Sequence, residues 1–464
     1  MRFVLYLASV LRIVLRSLRQ HLLSTLVTIG SVGLAAGLVM SVFSVAEQSR
    51  LAFSGGPVGF DAVLGARGSQ LQLVLNTVFH LETSPGNIPW SLYEEVRADD
   101  RVALAIPYAV GDNYKGYRIV GTDERIFTEV DLTDPATKDA QERANAKRVA
   151  AGEEPLEYAP RTMAFTPGSR AFDPTRREAV VGSYVAARTG LTVGSTFYPS
   201  HGVRGVQVDD EHHDDETGGA HDDHAHDDAY VVVGVLEPSN TPGDRVIWIP
   251  IEGIYRMDGH YLRGEGETLF EATDGEEIPE EVKEVSAVML KFHSNADGFF
   301  LGQDLNRAGG NATLAWPISA SVAQLFNKLG WVSRVLELVA YLVVLVATGS
   351  ILASLYNTMN ERRREFAILR ALGARRRTVF AVILAESSLI AVLGSLVGFA
   401  CYGAILSAAA GVVRAETGVV LEVWSGHPAL WWTPVGMLVL GGAAGLLPAF
   451  KAYATDVART LSRS

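Results

Sequence analysis

From Leu22 to Ala46 the chain runs 25 residues without one charged side chain, and three further apolar runs follow near its far end. These run from Leu338 to Asn360, from about Phe380 to Val413, and from Trp431 to Phe450. A bilayer core is crossed by roughly 20 helical residues, so each run is long enough to span. A cleaved leader ending at Ser44-Val45-Ala46 is the competing reading of the first run. That run is about twice the length of a leader's apolar core, which favours a retained span. The expected fold class is a membrane protein: four transmembrane α-helices, with a large α+β extracytoplasmic domain inserted between helices 1 and 2. The spans are placed at 22–46, 335–360, 380–413 and 431–450.

Charge then sets the orientation. Before the first span stand Arg2, Arg12, Arg16 and Arg19. Between the second and third stand Arg362, Arg363, Arg364, Arg370, Arg375, Arg376 and Arg377. After the fourth stand Lys451, Arg459 and Arg463. The long segment 47–334 instead holds 25 basic against 45 acidic residues. Basic flanks stay on the cytoplasmic side, so both termini and the 361–377 loop face the cytoplasm, and 47–334 faces outside. The short loop 414–430 joins it there, and 451–464 forms a cytoplasmic tail. A bacterial inner membrane, with the large domain periplasmic, is the expected location. The overall net charge of −12 argues against nucleic acid as a partner. The single cysteine, Cys401, excludes a disulfide framework and a cysteine-based zinc site.

Residues 1–21 place Arg12, Arg16 and Arg19 on one helical face and Leu11, Val14, Leu15 and Leu18 on the other. This predicts an amphipathic helix along the inner membrane surface, or else a plain extension of the first span. The external segment reads as α+β. Glu178 to Pro199 gives a strand, a helix from about Ser183 to Thr189 stopped by Gly190, and another strand. Tyr230 to Pro250 gives two strands joined by the turn at Asn240–Asp244. "SLYEEVRADD" predicts a helix and "YKGYRIVGTD" a strand, with charged surface excursions around 132–160 and 260–284. Val322, Leu325, Leu329, Val332, Leu336 and Val339 form a seam running into the second span. It suits either a lever between compartments or a helix fixed to its own domain. The apolar stretch Gly65–Trp90 is expected to pack on this stalk rather than to face a substrate or partner, with His80 as a satisfied core histidine. Gly33/Gly37, Gly394/Gly398 and Gly441/Gly445 are expected to pack the bundle rather than mark a dimer axis.

The most specific stretch is Asn360–Gly398. Glu365, Phe366, Ile368, Leu369, Arg370, Leu372 and Gly373 fit a short amphipathic helix closed by glycine. Basic residues follow, and then a span with an early acid, Glu386. An ordinary positive-inside loop is the default reading, but the detail of "EFAILRALGA" together with Glu386 resembles the FtsX/MacB family of ABC-transporter permeases. The N-terminal stretch and the two strand segments of the external domain are also similar to that family. The resemblance implies that 361–377 is the coupling helix, docking on a separate cytoplasmic ABC ATPase through the seven residues just named. It further implies a permease homodimer, and allows a periplasmic adaptor or substrate-binding protein. The sequence holds no phosphate-binding glycine loop, since the dipeptide Gly-Lys never occurs, and no nucleophile elbow or zinc-protease motif. The chain is therefore not expected to be an enzyme, and a partner ATPase is expected to supply the energy.

The stretch "EHHDDETGGAHDDHAHDD", residues 211–228, holds five histidines among acids. His212, His213, His221, His224 and His226 are candidate ligands for Zn2+, because neutral imidazole with carboxylates completes a zinc shell. The rival is a solvated acidic insertion, since nothing in it can build a core. The function expected is that of a permease subunit driving efflux, extraction of a lipid-linked substrate or metal-linked transport. The alternative is a non-transporting membrane regulator that switches a periplasmic enzyme or sensor.

Overall fold

The computed structural model describes residues 2–54, 59–133, 135–158, 160–201, 228–257, 262–263, 269–270, 277–307, 310–361, 365, 368, 370, 374–417, 420–424 and 426–454. The chain divides into two compact units. One comprises Met1–Arg50, Leu329–Val412 and Leu421–Ser464; the other comprises Leu51–Lys328 and Val413–Val420.

The helices are α1 (Arg2–Gln20), α2 (Leu22–Ser54), α3 (Gln70–Thr77), α4 (Trp90–Arg97), α5 (Arg125–Thr128), α6 (Pro135–Ala150), α7 (Ser183–Thr189), α8 (Ile251–Tyr255), α9 (Asn295–Asn306), α10 (Ile318–Glu361), α11 (Arg376–Thr417) and α12 (Ala429–Ala454). Four of them are long and apolar enough to cross a membrane, over Leu22–Arg50, Gly330–Glu361, Arg376–Glu416 and Ala429–Lys451. At 1.5 Å per residue α10 and α11 each run about 60 Å, roughly twice the thickness of a hydrocarbon core.

In the helical unit the glycines decide the packing. A Cβ on Gly37 would lie 2.6 Å from Cβ of Cys401 and 3.0 Å from the Gly398 carbonyl oxygen. One on Gly398 would lie 2.7 Å from Cβ of Ala36 and 3.2 Å from the Gly33 carbonyl oxygen. The glycine pairs of α2 and α11 therefore face each other, and the two backbones touch as small residues allow. On another side of α11, Gly441 and Gly445 of α12 close on Ala391 and Ser387. All three glycine pairs pack the bundle, as their spacing predicted. Pro434 and Pro448 lie inside α12.

The amphipathic reading of α1 needs one correction. Val10, Val14, Ser17 and Leu18 are buried, whereas Leu11 and Leu15 are about half exposed. Val10, Val14 and Leu18 join a core with Ala36, Met40, Ile351, Val382 and Tyr402, so the helix is gripped along one narrow stripe rather than a broad apolar face.

The other unit is a mixed sheet with helices on both faces. Its strands are β1 (Ala62–Ala66), β2 (Val102–Tyr114), β3 (Tyr117–Thr122), β4 (Glu178–Val181), β5 (Thr196–Phe197), β6 (Ser200–His201), β7 (Tyr230–Val235), β8 (Ile247–Pro250), β9 (Ala287–Phe292) and β10 (Ala312–Ala315). They run in the order β10–β1–β9–β2–β3–β8–β4–β7–β5, with β6 beside β2. β3/β8 and β4/β7 are parallel. Alternation within a strand sends Leu64, Ile119 and Ile247 to one face, with α4, α8 and α9. Val63, Val120 and Trp248 go to the other, with α3, α5 and the start of α10. Two covered faces explain why these strands read as unbroken apolar runs.

Most predicted elements are present, including the αL stop at Gly190 (φ 76°) after α7. The link between β7 and β8 differs from a simple hairpin, because β4 lies between them, parallel to β7 and antiparallel to β8. The connection must pass over the end of β4, and Gly182 makes room there. A Cβ on it would fall 2.4 Å from the Asp244 carbonyl oxygen. The Asp244 carboxylate closes the same loop by accepting from the backbone N–H of Ser239 and of Asn240.

The seam on α10 divides in two. Ile318 and Val322 are buried in the sheet unit's core with Leu73 and Val78 of the 65–90 stretch, which is the stalk packing expected of that stretch. Val332, Leu336 and Val339 are exposed.

Candidate coupling site in the helical unit

The predicted coupling segment joins α10 to α11. Glu365, Ile368 and Arg370 are helical; Glu365 is exposed, Ile368 is 45% exposed, and Arg370 is half-buried. Glu365 and Ile368 stand three residues apart, so they share one helical face. Phe366, Leu369, Leu372 and Gly373 lie outside the described residues. Arg375, Arg376 and Arg377 follow, all exposed at the start of α11.

Short polar contacts tie the helix ends on either side of this segment to the rest of the bundle. Ser17 Oγ donates to Glu386 Oε1 at 2.6 Å, and both side chains are buried. The acid that the sequence marks early in the third span is thus held by the N-terminal helix. His21, in the one-residue turn between α1 and α2, lies 3.3 Å from Glu361 at the end of α10. One turn further in, the hydroxyls of Ser24 and Ser354 are 3.1 Å apart. Lys451 of α12 donates to the hydroxyl of Tyr356 and lies over its ring. A second set of bonds closes the opposite ends. Tyr402 donates to the Val423 carbonyl at 2.7 Å, and Gln48 exchanges bonds with the Glu422 backbone. Ser17, His21, Ser24 and Ser354 carry no local motif, and their partners are 330 or more residues away. The one hint in the sequence is Ser17, a hydroxyl beside the apolar stripe of α1.

His212, His213, His221, His224 and His226 lie outside the described residues. Their stretch leaves the sheet after β6, where His201 is paired with Asp112. It returns at Asp228, held by Arg177 at 2.8 Å. β5 and β7 on either side are antiparallel neighbours. Among the described residues no group of three or more His, Cys, Asp and Glu is placed to hold a metal ion.

Residues 337–457, which include all of α11 and α12 and the 361–377 segment, match the family described as FtsX-like permease C-terminal. Over that stretch the chain is similar to FtsX-like permeases. Two curated relatives are each named macrolide export ATP-binding/permease protein MacB. The one from Nitrobacter winogradskyi is 29% identical over 128 residues, 28% of this chain and 19% of that protein. The one from Bdellovibrio bacteriovorus is 26% identical over 181 residues, 36% of this chain and 25% of that protein. The chain therefore spans a quarter or less of the relatives it matches. Among solved structures, the periplasmic region of MacB from Actinobacillus actinomycetemcomitans aligns with a TM-score of 0.30 at 10% identity. That alignment covers 58% of this chain and 94% of that chain.

Proposed function

We propose that the chain is a permease that couples ATP hydrolysis by a separate cytoplasmic ABC ATPase to work outside a bacterial inner membrane. The observation that carries this reading is the exposed helical face of Glu365 and Ile368 between α10 and α11, tied through Glu361 and Glu386 to α1. In this reading Phe366, Ile368, Leu369 and Leu372 are the apolar anchors and Glu365 and Arg370 pair with charges on the ATPase, while Gly373 ends the helix. Two copies of the permease work together, and the work is efflux of a substrate or extraction of a lipid-linked one. A periplasmic adaptor or substrate-binding protein completes such a machine.

The test is co-purification. Burying one large apolar side chain is worth about 1.5–3 kcal/mol. Phe366→Ala with Leu369→Ala should therefore weaken ATPase binding by at least roughly a hundredfold, with the permease's own melting temperature unchanged. Full retention of the ATPase by the double variant would remove the coupling assignment.

We further propose that His212, His213, His221, His224 and His226 take Zn2+ outside the membrane, which would link transport to metal handling. Calorimetric titration of the purified permease with zinc is expected to give a Kd of about 10 μM or tighter. A version lacking residues 211–228 is expected to lose that binding. Equal weak binding by both versions would make the stretch a solvated spacer.

A further inference from the structure

A cavity of about 400 Å3 opens in the sheet unit between the turn that follows α3, the start of β3 and the turn that precedes β8. The register of β2 against β3 shifts between Val110 and Asn113, and this irregularity forms one wall. Such interruptions commonly re-aim side chains beside binding sites.

Three cavity residues are unusual together. Arg245 is half-buried, yet its guanidinium makes no hydrogen bond or ion pair among the described residues, and its Nε is buried without an acceptor. Among the described residues Arg118 donates to neutral oxygens: the Asn76 carbonyl at 3.0 Å, Asn76 Oδ1 at 2.6 Å and the Glu82 carbonyl at 2.7 Å. His80 sits at φ 56°, a left-handed conformation that is uncommon for a residue with a Cβ. Its Nδ1 is also buried without a partner among the described residues. It is thus not the satisfied core histidine expected from the sequence. Backbone strain of this kind persists where the surroundings over-determine it, and it clusters at ligand sites.

A guanidinium carries five donors and stays charged even when burial disfavours the charge. Burial lowers the pKa of both Arg118 and Arg245, and at Arg245 the charge of Glu416 offsets only part of that, so each is held in partial desolvation at a cost. Burial and the two nearby guanidinium charges hold His80 down at about 3, so its ring is neutral and can donate one N–H. Two acids also line the space, Glu82 at the exposed rim and buried Asp112. They oppose a doubly charged anion more than a singly charged one. Phe79, Val110 and Tyr117 supply apolar wall.

We infer that this cavity binds a small organic monocarboxylate, with Arg245 and Arg118 holding its oxygens and the apolar wall covering its body. A planar carboxylate matches the guanidinium fork in two parallel bonds. The site belongs to the sheet unit and the 361–377 segment to the other unit, so the inference does not depend on ATPase docking.

The test titrates the detergent-solubilised permease with benzoate, phenyl phosphate and benzamide in parallel, each up to about 10 mM. Benzoate is expected to bind, benzamide not to bind, and phenyl phosphate to bind more weakly than benzoate. Arg245→Met should weaken benzoate by about tenfold or more, the worth of one charge-assisted bond. If that variant melts early, Arg245→Lys, which keeps the charge and loses the fork, is read in its place with the same expectation. The inference is overturned if no probe binds, if benzamide matches benzoate, or if phenyl phosphate binds more tightly. It is equally overturned if the Arg245 variant that folds binds benzoate like the parent.

Discussion

Gly37→Leu is expected to leave almost no monodisperse protein in detergent, and Gly37→Ala to melt clearly below the parent. The cause lies in the space between α2 and α11. Even a methyl group at Gly37 meets Cβ of Cys401 at 2.6 Å and the Gly398 carbonyl oxygen at 3.0 Å. Neither is the far end of a flexible side chain, so the helices themselves must part. Forcing an extra methyl into a closed interface costs about 1–3 kcal/mol, and a leucine costs more. Lost with that interface is the approach that Gly33, Gly394 and Gly398 also depend on. Gly403→Ala is the matched control, since a Cβ there meets nothing within 4 Å and alanine is the better helix former. Thermal melting of the three variants beside the parent decides the matter. Should Gly37→Ala melt with the parent, the facing-glycine contact is not what holds α2 to α11.

The second large effect belongs to Trp248, in β8 between β3 and β4. Its side chain is 1% exposed, and its ring lies edge-on to Tyr108 at 5.8 Å and His80 at 6.1 Å between centroids. Trp248→Ala should destabilise the sheet unit by about 3–5 kcal/mol, the usual cost of removing a buried aromatic. Trp248→Phe should cost far less than its lost volume implies. The indole Nε1 is buried with no hydrogen-bond partner among the described residues, so removing the N–H also removes an unmet donor. Calorimetry resolves the two outcomes, because the alanine variant shifts the sheet unit's transition and the phenylalanine variant barely moves it. Equal losses in both variants would mean that the indole N–H has a partner after all.

The spans were legible because lipid imposes one simple rule on 20 residues at a time, and hydropathy reads it directly. So were the glycine pairs, whose spacing of four gives one helical face. The local order of strand, helix and strand over 178–197 follows from Gly190 and from short apolar runs. What stayed hidden depends on distant partners. That β4 separates β7 from β8 is settled by which strands pair across the sheet, and no residue of 230–250 carries that information. Glu386 stood out in the sequence, but its donor Ser17 is 369 residues earlier. The cavity draws His80 from one connection and Arg245 from another. An apolar reading of 65–90 therefore had no reason to leave an imidazole without a partner. In the 361–377 segment, the exposure of Ile368 is the kind of detail that only the surrounding bundle can set.

Facing glycines also restrict how the bundle can move. Where two helices touch backbone to backbone, each ridge sits in a notch, and the next notch is four residues on, about 6 Å along the axis. Small axial slips between α2 and α11 are blocked at both glycine pairs, and α12 is keyed to α11 by Gly441 and Gly445 in the same way. These three helices form an indexed block that can tilt or turn as one piece but cannot creep. α10 lacks that kind of key, since a Cβ on its Gly330 or Gly349 meets nothing within 4 Å. It is held to the block by side chains instead, Ala347, Ile351 and Leu355 among them, so its contacts can regroup without two backbones having to part.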